Sequence, residues 1–327
     1  MLVLGIETSC DETAASVVKD GRQVLSSVVS SSLDFHKKYG GVVPEIAFRM
    51  QLETIAEVVE CAIKNAKVTL KDINAVSVTN TPGLSGSLAV GISFAKSLSL
   101  SQNLPLLGVN HLYGHIYASF LNRDIVKLPF IALIVSGGHT SLYLVKDFDK
   151  MLLLGSTSDD ACGEAFDKVA KILNLGYPGG PIIEKMAAMG NPKKIKFACS
   201  NTENPLDFSF SGIKTAVLYY VKKNKITKKD IPDIAAAFQD AAIDALVRKT
   251  FLACHKHKVK NVIVGGGVAA NNRLRLRFEE ESDKDGVRCL FPAKEFCMDN
   301  AAMIAGYGYQ LLKRDHRSNL YLNMEFN

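Results

Sequence analysis

Residues Phe130–Val145 read FIALIVSGGHTSLYLV. Six apolar residues, a polar Ser-Gly-Gly-His-Thr turn and a second apolar run predict two strands folded back on each other. Gly137 and Gly138 remove side chains where backbone amides can turn toward an anion, as a phosphate cradle requires. Residues 2–18, LVLGIETSCDETAASVV, repeat the arrangement of apolar run, small polar turn and apolar run. Two such hairpins, each opening about half of the chain, predict an internal duplication with a nucleotide held between the halves. The alternative is two unrelated hairpins in a large α/β protein, since Gly-rich turns are common.

The chain has 327 residues, long for one domain and comfortable for two. Its formal charge of +6 permits a nucleic-acid partner without demanding one. Seven cysteines, with no C-x-x-C pair, argue for a reducing compartment and against a disulfide framework or zinc ribbon. No basic leader precedes an apolar segment, so no signal peptide is expected. No apolar run approaches the ~20 residues that cross a bilayer. The expectation is a soluble, cytoplasmic protein with no membrane partner.

Outward from the first hairpin, Val24–Ser30 reads as a third strand. From Pro44 the pattern turns helical, with Leu52, Ile55, Ala56, Val59, Ile63 and Ala66 on one face. Strands over Ile73–Thr79 and Leu104–Val109 flank a Gly-, Ser- and Ala-rich helix, Leu84–Leu100. Strand and helix alternating at these spacings predict crossover units and a largely parallel core, with the hairpins on its edge. The division expected is a first lobe over 1–125 and a second over 126–327, with an insertion around 190–232.

In the second half, a loop over Leu154–Asp160 leads to a helix, Ala161–Leu173, carrying Glu164, Asp167 and Lys168. Gly176–Pro181 is a rigid, side-chain-poor turn before a helix bearing Glu184; it suits close approach of a ribose or base, or is simply a tight connection. The insertion ends in a lysine run, Lys222 to Lys229, a solvated face or a nucleic-acid contact. Residues 262–272, VIVGGGVAANN, place three glycines between a buried strand and a helix start, followed by Arg273, Arg275 and Arg277. This is not G-x-G-x-x-G, which disfavours a dinucleotide fold.

His111 and His115 stand four apart in VNHLYGHIYA. On a helix, both imidazoles share one face and can chelate one metal ion; the alternative is a pair of structural or solvent-facing histidines. Leu112 stands where the H-E-x-x-H metalloprotease motif has its general base. Asp299 falls at an expected helix N-cap before Ala301–Leu312, and it can also supply an oxygen ligand beside two imidazoles.

Eight motifs in order carry a resemblance. GIETSCDET (5–13), HLYGH (111–115), VSGGHT (135–140), GEAFDKVAK (163–171), YPGGP (177–181), FSFSGIKT (208–215), GGGVAAN (265–271) and MDNAAMIA (298–305) resemble the tRNA threonylcarbamoyladenosine transferases, once labelled O-sialoglycoprotease. The resemblance implies an α/β, two-lobed fold of the actin-like, sugar-kinase and Hsp70 superfamily, with duplicated lobes that clasp a nucleotide. It also implies transfer of threonylcarbamoyl from an adenylate to the exocyclic amine of the adenosine 3′ of the anticodon, releasing AMP.

Carried over by position, the resemblance gives His111, His115 and Asp299 one divalent metal ion, iron or zinc. Ile134, Val135, Ser136, Gly137 and Gly138 cradle the adenylate phosphate and the threonylcarbamoyl end, and Asp167, Gly180, Glu184 and Asn271 hold ribose and adenine. Asp11 and Glu12, in the first hairpin's turn, are the candidate general bases, with His139 as their competitor. The implied partners are tRNA, a paralogous non-catalytic subunit in a heterodimer, and a small ATPase. One departure stands out: Tyr113 sits between the histidines where many relatives carry Glu. A metalloprotease is disfavoured by Leu112 and by the lack of another Glu beside the pair. A kinase of the superfamily does not predict the metal trio, and a non-catalytic paralogue is expected to lose it.

Overall fold

The computed structural model describes residues 1–325, which form two compact units. The first begins with a meander of β1 (Leu2–Glu7), β2 (Glu12–Lys19) and β3 (Gln23–Ser31), each antiparallel to the one before. A short helix α1 (Leu33–Lys37) and the long α2 (Pro44–Asn65) lead to β4 (Ala75–Thr81). Helix α3 (Ser85–Gln102) leads to β5 (Leu106–Asn110), and α4 (His111–Tyr117) follows at once. The sheet order is β3-β2-β1-β4-β5, with β4 parallel to β1 and β5 parallel to β4. The hairpin is therefore not an edge feature. Strand β1 lies in the middle, which explains why it is apolar on both faces.

The second unit repeats this plan. Strands β6 (Phe130–Val135), β7 (Thr140–Asp147) and β8 (Lys150–Ser156) form the meander. Helices α5 (Cys162–Ile172), α6 (Gly179–Ala187), α7 (Ser211–Lys223) and α8 (Ile231–His257) precede β9 (Asn261–Gly265). Helix α9 (Asn272–Asp285) leads to β10 (Arg288–Leu290). The order β8-β7-β6-β9-β10, with β9 parallel to β6 and β10 to β9, matches the first sheet strand for strand. Both sheets are therefore built on one topology, each opened by one of the two hairpins. Strand β8 replaces part of the expected loop; Met151–Leu154 lacks apolar–polar alternation because it forms an edge, with Leu152 and Leu153 exposed.

From Pro292 the chain returns to the first unit, and the second unit is Val126–Phe291. The expected lobe over 126–327 is corrected accordingly. Helix α10 (Ala301–Leu312) packs on β1 so closely that a Cβ at Gly5 would stand 2.2 Å from the Ala301 carbonyl oxygen. Leu4 and Ile6 point the other way, into a core with Ile55 and Val59 of α2 and Leu88 and Ile92 of α3. Gly5→Val is expected to destabilise the protein by ~3 kcal/mol or more, because the obstacle is backbone. Thermal or denaturant unfolding measures it, and an unchanged midpoint would mean α10 does not sit on β1.

The α2 stripe is rotated from its expected position. Gln51, Ile55, Val58, Val59 and Ala62 are buried, while Leu52 is 67% exposed. No helix among the described residues is long and apolar enough to cross a membrane.

Candidate metal centre and nucleotide cradle

Strand β5 runs straight into α4 because Asn110 caps the helix, accepting from the amides of Leu112 and Tyr113 at 2.9 and 3.4 Å. His111 is thus the first helical residue, and His115 stands one turn on, with ring centroids 4.6 Å apart. Asp299 comes from the turn before α10. Asn300, not Asp299, caps that helix, accepting from the Met303 amide at 3.0 Å. That corrects the capping role expected for Asp299 and leaves its carboxylate for the histidines. Asp299 Oδ1 lies 3.5 Å from His111 Nε2 and 3.1 Å from His115 Nε2. Ligand atoms of the three residues all fall within 4.8 Å of one another.

His115 is 1% exposed; its Nδ1 has no hydrogen-bond partner among the described residues, and its Nε2 faces only the Asp299 carboxylate. A buried imidazole left this way is costly unless something coordinates it. Two imidazoles and one carboxylate, with further positions open, suit iron or zinc. The residues fit such an ion.

The carboxylate the sequence did not reveal is Glu7, fully buried at the end of β1. Its Oε2 lies 2.9 Å from His111 Nδ1 and accepts from the Thr79 hydroxyl at 2.6 Å; its Oε1 accepts from the Ser9 amide at 2.5 Å. Ser9 Oγ is also 3.1 Å from His111 Nδ1. A Glu therefore does adjoin the histidine pair, contrary to expectation. It faces Nδ1, however, and is spent on three donors, so it is not the free base a metalloprotease needs. It takes the proton on His111 Nδ1, which leaves Nε2, on the Asp299 side, as the nitrogen able to ligate once its own proton is lost.

Burial opposes charge at both carboxyls, yet the histidines outweigh it. His111 holds Glu7 below its usual range, and His111 with His115 holds Asp299 well below. Burial likewise pushes His111 down, but Glu7 and Asp299 raise it well above an ordinary histidine. His115 is lowered, by burial first and by its neighbour His111 second, which makes it the neutral imidazole of the pair. Glu7→Gln keeps the shape and removes the anion. Metal affinity should fall roughly 10–100-fold, read by competition with a chromogenic chelator; unchanged affinity would reduce Glu7 to a strand-end residue.

The first hairpin's turn belongs to the same unit. Gln51 donates to the carbonyls of Cys10 and Glu12 at 3.0 and 2.9 Å, and Ser32 donates to that of Asp11 at 2.8 Å. These contacts explain the buried Gln51 and fix Asp11 and Glu12. Burial, then Asp299 and Asp11, push the Glu12 carboxyl up to about 10, so in the metal-free protein it carries its proton at neutral pH. Tyr113 is half-buried, its ring 5.9 Å from that of Tyr307.

The remaining expected residues lie in the second unit, His139 included. Ile134 and Val135 are buried strand residues that offer backbone only. Ser136 and His139 close the turn, the Ser136 amide donating to the His139 carbonyl at 2.8 Å and the His139 amide to Ser136 Oγ at 3.1 Å. A Cβ added at Gly137, Gly138 or Gly180 would meet nothing within 4 Å. Behind them, Gly266 has φ +95 and no room for a side chain against the Val135 carbonyl, which locks the glycine run onto β6.

Asp167 is already engaged, accepting from the Gly179 amide at 2.6 Å. Burial raises its pKa, against the pull of the Gly179 and Gly180 amides. Asn271 caps α9 through the Leu274 amide at 3.0 Å and donates to Gln239 at 2.9 Å, so its side chain shapes the site from within. Glu184 accepts from the backbone and side-chain nitrogens of Asn272, both at 2.8 Å. Glu184, Gln239 and Asn272 line one cavity of about 500 Å³.

Two units of one topology place the chain in the actin-like, sugar-kinase and Hsp70 class. Solved structures agree in fold: component A of (R)-2-hydroxyglutaryl-CoA dehydratase from Acidaminococcus fermentans has a TM-score of 0.57 at 17% identity, covering 95% of this chain and 98% of that one. A ROK hexokinase from Thermus thermophilus has a TM-score of 0.53 at 16% identity, covering 97% and 100%. The profile described as tRNA N6-adenosine threonylcarbamoyltransferase matches residues 23–306. Relatives of that name are 51% identical in Dictyoglomus turgidum, over 99% of this chain and 97% of the relative, and 55% identical in Thermosipho melanesiensis, over 95% of each. The chain belongs to the tRNA N6-adenosine threonylcarbamoyltransferase family.

Proposed function

We propose that the chain transfers the threonylcarbamoyl group of threonylcarbamoyl-adenylate to the exocyclic amine of the adenosine 3′ of the anticodon. The acceptors are tRNAs reading codons that begin with A, which sets the work in the cytoplasm. The observation that carries the reading is the His111–His115–Asp299 trio, with ligand atoms within 4.8 Å, in a chain of this family. In this reading the trio holds one divalent ion, iron or zinc, which supplies a Lewis acid for the acyl oxygen.

The amides of Gly137 and Gly138 hold the phosphate and the threonylcarbamoyl end, where developing charge rewards preset donors. Glu184 and the backbone at Gly180 take the ribose. Asp167 acts on the ligand through the Gly179–Gly180 amides, and Asn271 through the shape of the adenine pocket. The amine nitrogen forms its bond to the carbamoyl carbon, the bond from that carbon to the phosphate oxygen breaks, and AMP leaves with the electron pair. The proton lost by the amine goes to Asp11 or Glu12, or to His139; Glu12 must first give up the proton it holds in the metal-free protein. A paralogous non-catalytic subunit and a small ATPase complete the system.

The test is AMP release measured with and without tRNA in the presence of those partners. Release that depends on tRNA is expected. In Glu12→Gln, which preserves the neutral form's shape, the rate should fall ~10²–10⁴-fold with adenylate binding intact if Glu12 is the base. Turnover indifferent to tRNA would contradict the reading.

A further inference from the structure

The second unit brings together two lysine clusters that are apart in sequence, Lys193, Lys194 and Lys196 with Lys222, Lys223, Lys225, Lys228 and Lys229. The Asn191 amide and Lys194 Nζ both reach Asp233, at 2.7 and 2.5 Å, in the first turn of α8. The Phe197 ring packs edge-on against Tyr220 near the end of α7, with centroids 5.8 Å apart. The 191–197 segment is thus clamped beside the 222–229 loop.

All of these lysines are exposed, and except for Lys194 they make no ion pair among the described residues. The nearby acids are occupied: Asp233 by Lys194, and Asp230 by the amide and hydroxyl of Thr227 at 2.8 and 2.7 Å. Tyr219, 66% exposed, stands among them. The arginine run after the glycines differs. Arg273 pairs with Asp240 at 2.8 Å, Arg277 with Glu280 at 2.7 Å and Asp244 at 3.2 Å, and Arg275 lies over the Phe291 ring. Its charge is largely satisfied within the protein. Pro192, next to Lys193, lines the same cavity as Glu184 and Asn272, so the lysine surface adjoins the pocket assigned above to the nucleoside.

We infer that this end of the second unit binds tRNA phosphates, with Tyr219 stacking on an unpaired base; the inference rests on tRNA being the acceptor. Unpaired ammonium groups neutralise phosphates by releasing counterions, without first breaking internal ion pairs. Such contacts position a nucleic acid without reading its sequence, as an enzyme serving several tRNAs needs. An exposed aromatic among cations is the arrangement that holds unstacked bases.

The experiment uses the full chain and a fluorescent, unmodified tRNA transcript, with binding followed by anisotropy across salt concentrations. Wild type is compared with a variant carrying Lys193→Gln, Lys196→Gln, Lys222→Gln and Lys225→Gln. A control carries Lys64→Gln, Lys71→Gln, Lys146→Gln and Lys150→Gln. The first variant should show a plot of log affinity against log salt shallower by about 3, and the control a change below about 1. Tyr219→Ala should weaken binding roughly 5- to 150-fold with the slope kept. Adenylate affinity measured on the same variants should match wild type, confirming that they fold. A wild-type slope in the first variant overturns the surface while leaving tRNA as the acceptor. The same result with loss of stimulation by the partner subunits overturns it in favour of an acidic protein. No tRNA binding by wild type, alone or with its partners, overturns the acceptor itself.

Discussion

His111→Ala with His115→Ala is expected to strip the bound metal and to slow transfer by ~10³-fold or more, since several kcal/mol of transition-state stabilisation leave with the ion. Removing His111 also leaves Glu7 buried beside a vacated partner, which costs about 1–3 kcal/mol of stability. Asp299→Asn is therefore the companion variant. It keeps both imidazoles and the Asn300 cap, and should lose most of the metal without that cost. Metal content by elemental analysis and transfer rate should fall together in both variants. Full activity in metal-free protein would remove the trio from the mechanism.

Gly138→Val should have the second largest effect, on the other unit. The turn offers space on the ligand side, with nothing within 4 Å of a Cβ there, so the variant should fold with its unfolding midpoint little changed. On the proposed reading, the added side chain blocks approach of the phosphate to the Gly137 and Gly138 amides. Two charge-assisted hydrogen bonds at ~1.5–3 kcal/mol each imply a loss on the order of 10²-fold or more in adenylate affinity by calorimetry. Metal affinity should be untouched. Unchanged adenylate affinity in the folded variant would place the cradle elsewhere.

The parts legible in the sequence were those written in local pattern. The two hairpins announced the repeated sheets because each combines apolar runs with a turn of small residues. His111 and His115 were legible because helical spacing alone puts them on one face. What stayed hidden depends on contacts between distant segments. Glu7 drew no reading of its own within the first hairpin, although a carboxylate ending so apolar a strand was itself a signal. Gln51 broke the apparent α2 stripe because its amide serves the Cys10–Glu12 turn, while Leu52, which fitted the stripe, faces outward. The return of α10 to the first unit rests on the bare backbone of Gly5, which no hydrophobic periodicity records. Asp167 and Asn271 were expected as ligand-binding residues, and the hydrogen bonds of their side chains within the protein, to the Gly179 turn and the start of α9, were not legible.

The most direct measurement is mass spectrometry of nucleosides from an unmodified tRNA transcript after incubation with the chain, its partner subunits and threonylcarbamoyl-adenylate. Metal-loaded and chelator-stripped protein are run side by side. The account predicts threonylcarbamoyladenosine at the single position 3′ of the anticodon, formed with the loaded protein and restored to the stripped protein when metal is added back. Equal modification by stripped protein, or none by loaded protein with all partners present, would contradict it.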